Sequence, residues 1–123
     1  MQIISATTAL KKIDWDFTGV KTNHSTHSLH PYPAKYIPQI PAALIKELSN
    51  LGETVVDIFC GSGTTLVEAL SLGRNAIGID ANPLACLISE AKTTKLTQNG
   101  QPPEPYSVTR RLFRYSPTVK NAK

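Results

Sequence analysis

The sequence predicts an α/β fold built around a parallel βαβ unit. Three observations carry this. Two short apolar runs, Thr54–Phe59 and Asn75–Ile79, have the length and β-branched content of strands covered by helices. A helical stretch lies between them, joined to each by a short turn, which is the order of a βαβ unit with a parallel sheet. The first run ends in Asp57 and a Gly-Ser-Gly turn, and the second ends in Asp80.

Along the chain, residues 1–23 mix short apolar pairs with polar residues. Within them, Ile13-Asp14-Trp15-Asp16-Phe17 alternates as a half-buried strand would. Residues 24–41 contain His24, His27 and His30 and four prolines, Pro31, Pro33, Pro38 and Pro41. That proline density excludes a helix and favours an extended segment of defined shape. Pro41 suits the first turn of a helix over Ala42–Ser49, with Leu44, Ile45 and Leu48 on one face and Asn50 and Gly52 ending it. After the first strand, Thr64–Leu72 reads as a helix with Leu66, Val67, Ala69 and Leu70 inward, stopped by Gly73. After the second strand, Asn82 is a good N-cap and Pro83 a good first residue for a helix continuing through Leu84–Lys92. Periodicity fades beyond Thr93.

The 123 residues amount to one domain or part of one. Only two strands are evident, whereas a doubly wound sheet usually has more. The expected organisation is an N-terminal segment 1–23, a folded part 24–93 and a basic, poorly ordered tail 94–123. That tail holds Lys95, Arg110, Arg111, Arg114, Lys120 and Lys123 against Glu104 alone, a charge of +5, so the rest of the chain sums to −1 within the net +4. A basic end suits an anionic partner such as nucleic acid. There is no apolar run of about 18 residues to span a membrane. The first ten residues lack the features of a secretory signal. Cys60 and Cys86 are too few for a disulfide scaffold and read as reduced thiols of a cytoplasmic protein.

The chemistry concentrates in Asp57-Ile-Phe-Cys-Gly-Ser-Gly-Thr-Thr65. Gly61 and Gly63 allow a tight turn and close approach of a ligand to the backbone. The ligand would lie at the carboxyl end of the strand against a helix N-terminus. Asp80, seventeen residues beyond Gly63, is placed to accept hydrogen bonds from both hydroxyls of a ribose. A dinucleotide fingerprint would need a third glycine, but position 66 is Leu. A phosphate loop would need Lys after Gly63, but position 64 is Thr. An acid at position 57 repels a pyrophosphate and suits a cationic α-amino group. A ligand with a ribose and an amino acid but no phosphate meets all three conditions, and S-adenosylmethionine is such a ligand. Three-residue spacing of His24, His27 and His30 raises a metal site. The prolines that follow and the lack of a nearby Cys or acid in sequence count against it, so no metal is expected.

These residues resemble a known family. Asp57–Thr65 is similar to motif I of the DNA amino-methyltransferases, which modify cytosine N4 or adenine N6. Gly78-Ile-Asp-Ala-Asn-Pro83 resembles the family's segment around the ribose-binding acid. His30-Pro-Tyr-Pro-Ala-Lys-Tyr-Ile-Pro-Gln39 resembles motif X and tips the likeness towards cytosine-N4 enzymes. The resemblance covers roughly residues 24–92. It implies part of a Rossmann-like, S-adenosylmethionine-dependent methyltransferase fold. It further implies a cofactor pocket of Asp57, Phe59, Gly61, Ser62, Gly63, Thr64 and Thr65. Asp80 would be at the ribose with Asn82 beside it, and His30, Tyr32, Pro33, Ala34 and Lys35 would close over the methionine. Thr64 and Thr65 would serve the methionine carboxylate. Cys60 is expected to be packing only.

The family also needs an Asp/Asn/Ser-Pro-Pro-aromatic motif to hold the acceptor amine of a flipped base. The one Pro-Pro pair, Pro102-Pro103, is flanked by Gln101 and Glu104 and lacks that form. No catalytic residue is therefore expected on this chain. The resemblance implies the cofactor part of a DNA methyltransferase of a restriction-modification system, truncated or one half of a split enzyme. Its partners would be DNA and a second subunit carrying the missing motif. The competing expectations are a non-catalytic S-adenosylmethionine-binding module and the cofactor part of an RNA methyltransferase.

Overall fold

The computed structural model describes residues 2–22, 24–33 and 35–94. Its elements are α1 (Gln2–Leu10), α2 (Gln39–Leu48), β1 (Thr54–Asp57), α3 (Thr64–Ser71), β2 (Asn75–Gly78) and α4 (Pro83–Thr93). The tail expected over 94–123 lies, but for Thr94, outside the described residues, as does Ala34.

β1 and β2 pair in parallel, with Thr54 opposite Asn75 and Asp57 opposite Gly78. Two further bonds extend the ladder towards the glycine turn, Ile79 N–H to the Asp57 carbonyl at 2.9 Å and Cys60 N–H to the Ile79 carbonyl at 3.0 Å. The crossover helix α3 packs on both strands, with α2 and α4 beside it. The core consists of Ile45, Cys60, Leu66, Ala69 and Ala76, with Val55, Leu70 and Leu72 against it. β2 meets α3 closely at Gly78, where a Cβ would lie 2.5 Å from Leu66 Cδ1 and 3.0 Å from Cys60 Sγ. Arg74 ties the end of α2 to the start of β2. Its guanidinium donates to the Ser49 and Leu72 carbonyls, each at 2.6 Å.

The sequence expectation and the structure part in three places. Residues 13–17 form turns, not a strand. Asp16 N–H bonds the Asp14 carboxylate at 3.1 Å and Phe17 has φ +46°, a local geometry that breaks the alternation. Ahead of them lies α1, which packs against α2. Second, α2 starts at Gln39, three residues before the expected Ala42, with Pro38 as its N-cap. Both Pro38 and Pro41 fall where a helix has no intrahelical use for an N–H, so neither stops it. Third, β1 is covered on one face only among the described residues. Val55 packs inward, while Val56 is 55% exposed and Ile58 58%.

Candidate functional site

The site forms where β1 and β2 end side by side. Glycine makes the turn possible at two points. Gly61 has φ +49°, with only the Tyr32 ring near its missing Cβ, at 3.6 Å. Gly63 has φ +81°, and a Cβ there would stand 2.7 Å from the Ser89 Cβ of α4. That close approach brings the N-terminus of α3 directly against α4. The first N–H groups of a helix have no intrahelical partner and carry partial positive charge, so the turn faces a ligand with donors.

The two acids hold the turn in place. One Asp57 carboxylate oxygen accepts from Phe59 N–H at 3.1 Å and the other from the Tyr36 hydroxyl at 3.2 Å. Asp80 Oδ2 accepts from Gly61 N–H at 2.9 Å, and Oδ1 accepts from Asn82 N–H at 2.8 Å. Each carboxylate has about four acceptor positions and uses two of them here, which leaves capacity for a ligand. Asn82 acts as the N-cap of α4, accepting from Leu84 N–H at 3.0 Å. Its amide also reaches the Tyr32 hydroxyl at 3.4 Å, which brings the proline-rich segment to the end of β2.

Of the other expected residues, Ser62 is buried and its hydroxyl has no partner among the described residues. Thr64 is buried, and the Thr65 hydroxyl is hydrogen-bonded to that of Tyr36. Phe59 is 82% exposed at the mouth of the turn. His30 and Pro33 are exposed, and Lys35 Nζ donates to the His27 carbonyl at 3.0 Å. Cys60 is buried beneath the turn, and burial pushes its thiol up to about 11. This fits a packing residue rather than a nucleophile.

Sequence reasoning missed two participants, Tyr36 and Glu68, and it takes His24 and His27 as polar surface residues. Tyr36 touches both Asp57 and Thr65 across the turn. Partial burial, with Asp57 beside it, raises its phenol, so it serves as a neutral donor. Glu68, on α3, is buried and accepts from His24 Nε2 at 3.0 Å and His27 Nε2 at 2.7 Å. Burial raises the Glu68 carboxyl, but the His27 and His24 bonds outweigh it and hold the group below the usual range. A polar surface role suits His24, which is exposed, but not His27, which is only 2% exposed. A lone acid in the otherwise apolar face of Leu66, Val67, Ala69 and Leu70 was the available signal.

A parallel βαβ unit whose strands end in two acids around a Gly-x-Gly turn is the cofactor half of a Rossmann-like methyltransferase fold. Residues 5–91 match the model of the N6/N4 methyltransferase family, described as DNA methylase, and the chain belongs to that family. It is 43% identical over 90 residues to the type II methyltransferase M.MjaII of Methanocaldococcus jannaschii. That match covers 68% of this chain and 17% of the relative. It is 40% identical over 83 residues to the type II methyltransferase M.MvaI of Kocuria varians, covering 65% and 18%. The solved M1.HpyAVI–SAM complex aligns with a TM-score of 0.47 at 28% identity, over 58% of this chain and 31% of that one. The chain thus spans less than a fifth of the length of these two curated relatives.

Proposed function

We propose that this chain is the S-adenosylmethionine-binding part of a site-specific DNA methyltransferase of a restriction-modification system, acting on cytosine N4. The observation that carries the reading is the junction of Gly61 with Asp80, which joins the glycine turn to the second strand's acid. The residues fit the cofactor. Ser62 offers a buried hydroxyl without a partner among the described residues, Gly61 leaves the backbone open, and both acids retain acceptor capacity.

In this reading Asp80 holds the ribose hydroxyls. Asp57, fixed by Tyr36, faces the cationic amino group. The first turn of α3, with Thr64 and Thr65, meets the carboxylate. Tyr32 and its neighbours Pro33, Ala34 and Lys35 cover the methionine end, with His30 at the rim. Bound S-adenosylmethionine supplies an electrophilic methyl on a sulfonium. In the family reaction a C–N bond forms to the exocyclic amine, the C–S electrons return to sulfur, and the amine loses a proton. Orientation of that amine is as necessary as binding of the methyl donor, and the Pro-Pro-aromatic motif that would provide it is absent from this sequence.

The acceptor motif and the target-recognition region would therefore come from further polypeptide, joined to this chain or separate. The edge of β1 left unpaired among the described residues supports such a partner. Between that edge and α2 lies an apolar groove of about 520 Å³, lined among others by Tyr36, Leu44, Leu48 and Val55. Unpaired strand edges invite pairing with added strands. A cytoplasmic location would suit enzymes that act on DNA, and among the described residues no helix is long and apolar enough to cross a membrane.

The test is transfer of labelled methyl from S-adenosylmethionine to unmethylated DNA. This chain alone should give none. Adding polypeptide that bears the acceptor motif should restore transfer, and the product should be N4-methylcytosine. Robust transfer by the isolated chain, or product at another atom, would overturn the respective part of the reading.

A further inference from the structure

His24 and His27 lie in a tight turn, with His27 N–H bonded to the His24 carbonyl at 3.3 Å. Glu68 comes from α3, more than forty residues away. The fold brings all three together beside the glycine turn, but outside the set of groups given to the cofactor. Both Nε2 atoms converge on the same oxygen, Glu68 Oε1, and the three potential ligand atoms lie within 4.8 Å of one another. The imidazole rings meet edge to face with centroids 5.1 Å apart.

We propose that His24 Nε2, His27 Nε2 and Glu68 Oε1 form a site for a divalent transition metal of the zinc class. Two imidazoles and a carboxylate are a donor set suited to such ions, with the remaining position left to water. The burial pattern fits. Glu68 and His27 are 7% and 3% exposed at their side chains and fixed. His24, at 47%, forms a wall open to solvent through which an ion can enter. The backbone around the turn is already set. Thr26 Oγ1 donates to the Lys92 carbonyl at 2.9 Å, and the Lys35 ammonium donates to the His27 carbonyl at 3.0 Å.

Proton accounting is simple. A carboxylate can only accept, so in the metal-free protein both histidines present Nε2–H to Glu68. To take the metal on Nε2 each imidazole gives up that proton to solvent and takes one up at Nδ1, so it stays neutral and no net proton is released. With metal–ligand distances of about 2.0–2.2 Å, the two hydrogen-bonded contacts open to roughly 3.4 Å and the two Nε2 atoms, within 4.8 Å of each other, settle at a similar separation. An ion held there would pin the turn at residues 24–27 to α3. It would thereby fix the start of the segment that carries Tyr32 and Tyr36 to the cofactor turn.

The probe is Co²⁺ added to the full chain after stripping with chelator, followed by its visible absorption, with Zn²⁺ as competitor. The expected result is one ion per chain, a visible band displaced by Zn²⁺, and a raised melting temperature. His24→Ala, which removes the exposed ligand, should weaken Co²⁺ binding by more than about tenfold with the fold retained by circular dichroism. Glu68→Gln should do the same, and His30→Ala should leave Co²⁺ affinity unchanged. Absence of the band at millimolar Co²⁺, or affinity unaltered in both His24→Ala and Glu68→Gln, would overturn the proposal and leave a hydrogen-bonded cluster. Metal affinity is read without S-adenosylmethionine, so failure here is distinct from failure of the methyltransferase reading.

Discussion

At the scale of the residue, the glycine turn depends on positions that admit no side chain. Gly63 combines φ +81° with a Cβ position 2.7 Å from the Ser89 Cβ and 3.0 Å from its Cα, so neither rotation nor a flexible neighbour can relieve a methyl group. Gly63→Ala should cost about 2–4 kcal/mol, combining backbone strain with overpacking. Urea denaturation measures it, and a loss under about 1 kcal/mol would mean that α3 and α4 can separate without penalty. Cys60 beneath the turn is a second residue-level test. Its thiol, pushed up to about 11 by burial, should resist iodoacetamide at pH 8 in the folded chain and react once the chain is unfolded. Rapid alkylation of folded protein at Cys60 would show the turn to be open.

At the scale of the element, α4 carries an unfavourable group. Lys92 is 3% exposed and its ammonium has no hydrogen-bond partner among the described residues. Burial, then the nearby Lys35 charge, lowers its pKa from 10.5. The folded state thus releases this proton before the unfolded state does. Below the folded pKa the penalty is present in full, and it is relieved as pH rises towards 10.5, so stability contributed by this group climbs with alkaline pH. Lys92→Met should stabilise the chain by about 1 kcal/mol at neutral pH. Its advantage over the natural sequence should shrink as pH approaches 10. A constant or growing advantage would place the ammonium in water. The neighbouring elements were legible in the sequence because their signals are local. Asn82-Pro83 opens α4, Gly63 precedes α3, and the two β-branched runs appear as β1 and β2, each shorter than expected by one or two residues. What was not legible depends on contacts. α1 contains Ile3, Ile4, Thr7 and Thr8, poor helix formers, and packs against α2. The strand expected at Ile13–Phe17 has the right alternation but no neighbouring strand to pair with among the described residues.

At the scale of the whole molecule, the described part is a two-stranded parallel sheet whose carboxyl ends gather Asp57, Asp80 and the glycine turn. The acids and glycines at 57, 61, 63 and 80 could be read in advance because strand ends fix them in sequence. Tyr36 and Glu68 could not, since their partners lie 21 to 44 residues away and only the fold brings them together. Val56 and Ile58 leave one face of β1 exposed among the described residues. The account rests on these groups at the strand ends binding the cofactor. Calorimetric titration of S-adenosylmethionine into the purified chain tests this most directly, with Asp80→Asn as the comparison. The account predicts one molecule bound per chain. It also predicts that Asp80→Asn weakens binding by about tenfold, the loss of one charge-assisted hydrogen-bonding group of about 1.5 kcal/mol, with the circular dichroism spectrum unchanged. No binding by a folded chain at millimolar S-adenosylmethionine, or equal affinity in Asp80→Asn, would contradict it.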